Sequence, residues 1–293
     1  MKFALYDNVK TFYNDVYEVL LQNESQNMLI LGNLLIGYEG KDTFDWRNAD
    51  NWVMATVSNE DNIRLVALMT PPFGITLYAV DSTVDEGIVK CLVHGLLDAK
   101  ILVPSVVTEK SLAETFASIY CNIRGTTPNI AMSQRIYELR AVNPEIPKIG
   151  NFRTSREQDL SFLPFWMSDF YKAAYIVKPV EDSIEQYRYQ ISGGNLYILE
   201  DNGMPVSMVK ITRQTPNVAG IGFVYTPPYL RGKGYTSSVT AHLSQLCLDK
   251  GLASCVLYTD LTNPTSNSIY QKIGYVPVCD SLEIKFFPCH PIP

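Results

Sequence analysis

The stretch Ile221-Gly222-Phe223-Val224-Tyr225-Thr226-Pro227-Pro228-Tyr229-Leu230-Arg231-Gly232-Lys233-Gly234-Tyr235-Thr236 runs from an apolar strand through two prolines into an arginine-glycine loop, then straight into a helix. A glycine-rich turn at a helix start leaves backbone N–H groups unpaired and pointing outward. With the positive end of the helix dipole they form a site for an anion such as a phosphate. Arg231 and Lys233 add positive charge at the same place. Two common phosphate loops do not fit. No GxxxxGK(S/T) string occurs, and Gly232-Lys233-Gly234-Tyr235-Thr236-Ser237 lacks the third glycine of GxGxxG. For Gly232 and Gly234 alone, an ordinary strand-to-helix turn with surface basic residues is the better reading.

Outward from the loop, hydrophobic periodicity organises the chain. Strand patterns cover Asn195–Glu200 and Pro205–Thr212 around the turn Asp201-Asn202-Gly203-Met204, and Ala219–Tyr225 follows. A helix is predicted from about Lys233 to Lys250, with Val239, Leu243, Leu246 and Cys247 on one face and Gly251 ending it. A strand at Ala253–Thr259, a short helix at about Pro264–Ile273 and final strands over Tyr275–Phe287 complete the half. The first half repeats this order: strands at Trp52–Val57, Arg64–Thr70 and Ile75–Val80, a helix at about Asp85–Lys100, a strand at Ile101–Thr108, a helix at Ser111–Tyr120 and a strand at Ile130–Val142. Helices precede each half, at Lys10–Asn23 and Ser25–Gly37, and at Arg156–Ala174 and Glu181–Ser192. One plan written twice implies two similar α+β domains, 1–145 and 146–293, joined through Asn143-Pro144-Glu145-Ile146-Pro147-Lys148. The halves differ at one place. Where the second has its glycine loop, the first reads Asp81-Ser82-Thr83-Val84-Asp85-Glu86, which repels an anion.

Composition narrows the function classes. With 46% hydrophobic and 18% charged residues in 293, the chain has material for packed cores and no signature of disorder. A net charge of −6 argues against nucleic acid as a partner. The first seven residues reach an acidic side chain too early for a signal peptide, and no apolar run has the length of a membrane span, so a cytoplasmic protein is expected. Cys91, Cys121, Cys247, Cys255, Cys279 and Cys289 show no CxxC spacing, so no metal site or disulfide framework is expected.

Downstream of the loop stands Asn263-Pro264-Thr265-Ser266-Asn267-Ser268-Ile269-Tyr270-Gln271-Lys272-Ile273-Gly274-Tyr275. Here the chain resembles the GCN5-related N-acetyltransferase (GNAT) superfamily, which transfers acetyl from acetyl-coenzyme A to an amine. The family's diphosphate loop, Arg/Gln-x-x-Gly-x-Gly/Ala, is matched by Arg231-Gly232-Lys233-Gly234-Tyr235-Thr236 except at Thr236, whose bulk departs from the pattern. The later signature, an Asn, a Tyr seven residues on and then Gly-aromatic, is matched by Asn263, Tyr270 and Gly274-Tyr275. The motifs cover roughly the last 140 residues. The first half is similar only in element order and looks like a degenerate GNAT half without a cofactor loop.

The resemblance implies roles. Amides over Arg231, Gly232, Lys233, Gly234, Tyr235 and Thr236 hold the cofactor diphosphate, and the backbone of Phe223, Val224 and Tyr225 lines the thioester on a strand that splays from its neighbour. Tyr270 is the general acid for the departing thiolate. Asn263 holds the strand end or the cofactor, or simply caps the helix ahead of Pro264. No base is assigned. Ala219–Tyr225 has no carboxylate, and Glu200, Asp260 and Glu283 read better as surface acids. Cys247 and Cys255 have no histidine to activate them, and His94 and His242 fall on helices, so an acyl-cysteine route is not expected. The expected function is acetyl transfer to an amine of a small molecule, amino acid or peptide, by direct attack in a ternary complex, in a monomer. Alternatives are a non-catalytic acyl-coenzyme A-binding or sensing protein, and transfer of another acyl or aminoacyl group.

Overall fold

The computed structural model describes residues 1–40, 48–60, 62–81, 84–173 and 184–288. Ser82, Thr83, Ala174, the start of the helix expected at Glu181 and Cys289 lie outside the described residues. The fold is mixed α+β, as expected. The chain divides into two compact units. One comprises Met1–Ile136, Asp260–Thr262 and Val278–Pro293, the other Tyr137–Thr259 and Asn263–Pro277. They are called the N-terminal and C-terminal units below, although they interleave in sequence.

The N-terminal unit contains β1 (Lys2–Tyr6), α1 (Val9–Leu21), α2 (Met28–Glu39), β2 (Val53–Asn59), β3 (Asn62–Met69), β4 (Ile75–Ala79), α3 (Glu86–Asp98), β5 (Ser105–Glu109) and α4 (Lys110–Arg124). The chain then passes through β6 (Thr126–Leu139), within which the boundary between units falls. The C-terminal unit contributes β7 (Asn151–Thr154), α5 (Leu163–Ala173), α6 (Ile184–Ser192), β8 (Leu196–Asp201), β9 (Met204–Gln214), β10 (Val218–Tyr225), α7 (Tyr235–Asp249), β11 (Ser254–Asp260) and α8 (Pro264–Ile273). The last strand, β12 (Val276–Pro288), returns to the N-terminal unit.

In the N-terminal unit the strand order is β1-β2-β3-β4-β5-β12. All of its pairings are antiparallel except β4 with β5. Helices cover both faces because strand side chains alternate. Ala55 and Val57 of β2 join the core under α3 and α4, while Met54 joins the core under α1 and α2. The C-terminal unit repeats the plan, with order β6-β11-β10-β9-β8-β7 and β10 with β11 as a parallel pair. Tyr197 and Leu199 of β8 point to the α7 and α8 side, and Leu196 and Ile198 to the α5 and α6 side.

Most expected elements stand within a few residues of their predicted bounds. The strand expected from Ile101 starts only at Ser105. Pro104 has no N–H to give a ladder, and the Val103 N–H donates instead to the Tyr120 hydroxyl at 3.0 Å. The helix expected over Arg156–Ala174 opens as a 3-10 turn at Glu157–Ser161 before α5. Its start is closed by Asp159, whose carboxylate accepts from the Arg156 N–H at 2.7 Å. The final strands expected over Tyr275–Phe287 are one continuous strand. Edge strands β1 and β7 were not anticipated.

Candidate functional site

β10 is irregular where it matters. Its parallel pairing with β11 covers only Val218, Gly220 and the residue between them, and stops at Gly220 opposite Val256. Beyond Gly220 the pairing of the two strands ends, at the place where the resemblance implies a splay. On the other edge, Gly222 faces Lys210 and Tyr225 faces Met208, so β10 carries one more residue than β9 over this stretch. That is a β-bulge, and Phe223 absorbs it with φ of 53°. A non-glycine residue in this region costs on the order of 1–2 kcal/mol. Aromatic packing holds it there. The Phe223 ring stacks on Phe170 of α5 at 4.8 Å, meets Tyr171 edge-on at 5.6 Å, and lies 5.5 Å from the Lys210 ammonium. Gly222 is required beside the bulge because a Cβ there would meet Thr212 Cγ2 at 2.7 Å.

The loop after β10 ends in two left-handed glycines, Gly232 at φ 79° and Gly234 at φ 83°. Neither is crowded. A Cβ at Gly232 would meet nothing within 4 Å, and one at Gly234 only Ile149 Cδ1 at 3.9 Å. The glycines serve the turn, and the space outside them is open. Gly234 is the N-cap of α7 and has no side chain to cap with. The Ser238 N–H reaches the Gly234 carbonyl at 3.0 Å, so the N–H groups of Tyr235, Thr236 and Ser237 have no acceptor within the helix. An open, uncapped helix start preceded by Arg231 and Lys233 suits a diphosphate. Coenzyme A, the cofactor implied by the sequence, fits the residues present.

The side chains of the loop are less available than its amides. Arg231 turns back, its Nε donating to the Thr226 carbonyl at 3.0 Å, while Lys233 is exposed. The Tyr235 ring is buried and its hydroxyl donates to Asp201 Oδ2 at 2.5 Å. Thr236 points its hydroxyl inward, 2.8 Å from Thr226 Oγ1. Tyr235 and Thr236 therefore offer a diphosphate their backbone and not their side chains.

Tyr270 stands on α8, its ring buried and 6.0 Å from that of Tyr275. Burial pushes its phenol up to about 12, so it keeps its proton across the working pH range. Asn263 is the N-cap of α8: its Oδ1 accepts from the Ser266 N–H at 3.0 Å, and Pro264 takes the first helical position. The capping reading of Asn263 is the one its hydrogen bonds show.

The candidate bases are occupied elsewhere. Glu200 lies 2.7 Å from Arg153, which also holds Asp159 at 2.8 Å, and the Arg153 guanidinium keeps the Glu200 carboxyl below its usual range. Asp260 accepts from both the N–H and the hydroxyl of Thr262 at 2.8 Å. Glu283, on β12, lies 3.8 Å from the Lys285 ammonium. The carboxylate missed by sequence reasoning is Asp169 of α5. Its Oδ2 accepts from the Tyr225 hydroxyl at 3.3 Å, its Oδ1 lies 3.6 Å from Lys172 Nζ, and half of its side chain is exposed. No local motif flags it, because 56 residues separate the pair.

Cys247 and Cys255 are both buried, and the adjoining Cys247 thiol together with burial drives the Cys255 thiol upward. The core around both thiols closes them off from a substrate. His94 is exposed and His242 stacks on Phe152 at 5.1 Å. At the corresponding place in the N-terminal unit, the start of α3, Asp85 fills the cap with its own carboxylate.

Residues 162–275 match the family model for acetyltransferases of the GNAT family. They form a GNAT domain. The GNAT domain thus spans α5 to α8, including the bulged strand, the glycine loop and Tyr270. The fold extends further. A protein from Drosophila aligns over 98% of this chain and 99% of its own at a TM-score of 0.67 and 11% identity. A GCN5-related N-acetyltransferase from Sphaerobacter thermophilus aligns over 99% and 97% at 0.61 and 13% identity. An acetyltransferase of the GNAT family from Colwellia psychrerythraea aligns over 98% and 100% at 0.55 and 11% identity. At these identities the likeness is one of fold, and it includes the N-terminal half. No curated protein matches the sequence. The match over residues 162–275 supports acyl-coenzyme A-dependent acetyl transfer in general. Among the described residues no helix is long and apolar enough to cross a membrane, and no cluster of metal-ligating side chains occurs.

Proposed function

We propose that this chain is an acetyl-coenzyme A-dependent N-acetyltransferase acting on an amine of a small molecule, amino acid or peptide. The observation that carries the reading is the junction of a bulged, splayed strand with an open, uncapped helix start. The N–H groups of Tyr235, Thr236 and Ser237 would hold the diphosphate, with Lys233 as its charge partner. Past Gly220 the backbone of β10 is no longer bonded to β11, which leaves N–H donors for a carbonyl that gains negative charge. Bound acetyl-coenzyme A supplies the acetyl group as a thioester, for direct attack in a ternary complex.

Tyr270 is the proton donor in this reading. With the phenol at about 12 and a thiol near ~8.5, complete proton transfer to the sulfur is uphill by ~5 kcal/mol. Its first contribution is therefore a hydrogen bond that strengthens as the sulfur gains charge. Asp169, half-exposed, held by the Tyr225 hydroxyl and 3.6 Å from the exposed Lys172 ammonium, places a carboxylate beside the bulge, which suits a cationic amine that displaces that lysine.

Calorimetry with coenzyme A tests the loop. Arg231→Glu and Gly234→Asp should each weaken binding at least tenfold; unchanged affinity in both would remove the acetyl donor from the account. Thiol release from acetyl-coenzyme A across a panel of amines then tests turnover. Tight binding with no release on any amine selects the non-catalytic acyl-coenzyme A-binding alternative.

A further inference from the structure

Thr226 is tied to both ends of the glycine loop. Its carbonyl accepts from Arg231 Nε at 3.0 Å, and its hydroxyl lies 2.8 Å from that of Thr236. The same hydroxyl lies 2.9 Å from Ser207 Oγ on β9, and Ser207 Oγ in turn is 2.9 Å from the Tyr225 carbonyl. Ser207 is fully buried, and Thr226 and Tyr225 nearly so.

The direction of this chain is fixed by chemistry. A carbonyl only accepts, so the single Ser207 proton goes to the Tyr225 oxygen. Ser207 Oγ must then accept from Thr226, and Thr226 Oγ1 must accept from Thr236. No other assignment fills all three contacts. The Thr236 proton is thereby committed inward, and this hydroxyl has none left to give to a phosphate. What the chain joins is the first turn of α7 and the bulged end of β10, the two places that the proposed function assigns to the diphosphate and the thioester.

We propose that Thr236 is a positioning residue: through the hydroxyls of Thr226 and Ser207 it sets the glycine loop in register with the bulged end of β10, so that one coenzyme A engages both. The proposal rests on the reading of the loop as a coenzyme A site. The side chain adds nothing to the diphosphate contact itself. It acts on whether the diphosphate and thioester ends of one molecule can be held together.

The test compares two probes by titration calorimetry: acetyl-coenzyme A, and adenosine 3′-phosphate 5′-diphosphate, which carries the diphosphate and lacks the pantetheine arm. Thr236→Val keeps the shape and removes the hydroxyl. It should weaken acetyl-coenzyme A by about tenfold and leave the nucleotide probe within twofold. Thr236→Ser should restore acetyl-coenzyme A affinity. Ser207→Ala, at the far end of the chain, should show the same split. Thermal melts confirm that each variant is folded at the titration temperature. Equal losses for both probes would mean that Thr236 acts on the diphosphate itself, and no loss for either would mean that the register is set without it; each overturns the proposal. So does a Ser207→Ala variant that behaves like the parent. A parent that binds neither probe overturns the coenzyme A reading, and that result is distinguishable because it appears before any variant is made.

Discussion

Asp85 places its carboxylate 2.7 Å from the Gly87 N–H, so the start of α3 is capped by its own chain. The equivalent position of α7 is Gly234, which has nothing to cap with. The same helix start is thus closed to anions in one unit and open in the other. A carboxylate at an N-cap satisfies the amides a phosphate would use and repels it as well.

One coenzyme A per chain follows from this contrast. Calorimetry should give a stoichiometry near one. Asp85→Ala should cost about 1 kcal/mol of stability in denaturant melts and leave that stoichiometry unchanged. A second binding event in the parent would show that the N-terminal unit retains a site.

The C-terminal strand should be indispensable to the N-terminal unit. β12 pairs antiparallel with β5 from Ser281 opposite Glu109 to Lys285 opposite Ser105. Leu282 and Ile284 insert into the core with Phe116 and Val106. Each truncation to alanine should cost about 2–5 kcal/mol. Amide exchange in β5 should accelerate in either variant, and exchange as slow as in the parent would show that β12 is dispensable there.

That strand also marks where sequence reading stopped. Periodicity revealed β12 as a strand, because its apolar residues alternate, yet alternation says nothing about the partner. Non-local pairing is decided by packing, and the chain interleaves its two units in a way no local pattern records. Elements with strong local signals were legible: α7 by its heptad-like face and Gly251, α8 by Asn263-Pro264, the glycine loop by its left-handed positions. β1 and β7 were missed as short edge strands. The splay of β10 was implied only by resemblance, and the bulge at Phe223 was not foreseen, since a non-glycine residue at positive φ leaves no compositional trace. Asp169 and the Ser207–Thr226–Thr236 chain become neighbours only through the fold.

Stability should fall as the pH drops below about 6.5, the ordinary value of histidine. His242 is held below that value, first by burial and then by the nearby Lys148 charge, and its Nε2 is buried without a hydrogen-bond partner. Above the ordinary value both the folded and unfolded states are neutral, and the group contributes no slope. As the pH falls through that value towards the lower folded one, the unfolded chain takes up a proton that the folded chain refuses, so stability declines. Melting temperatures at pH 7.5 and 5.5 measure this. His242→Phe, which keeps a ring against Phe152, should flatten the difference; an unchanged difference assigns the slope to other groups.

Tyr270→Phe should separate binding from chemistry. The ring packs in the core of the C-terminal unit with Tyr275, so phenylalanine preserves the packing and removes only the hydroxyl. If the phenol donates its proton to a leaving sulfur, kcat should fall by about 10²–10⁴-fold while coenzyme A affinity stays within twofold. The pH profile adds an independent check. A donor raised to about 12 by burial stays protonated at every pH below 10, so the parent's rate should show no alkaline decline assignable to Tyr270. A decline near pH 8–9 that vanishes in Tyr270→Phe would mean the hydroxyl is hydrated when the cofactor is bound. A kcat in the variant equal to that of the parent would return Tyr270 to the core and leave water as the proton donor.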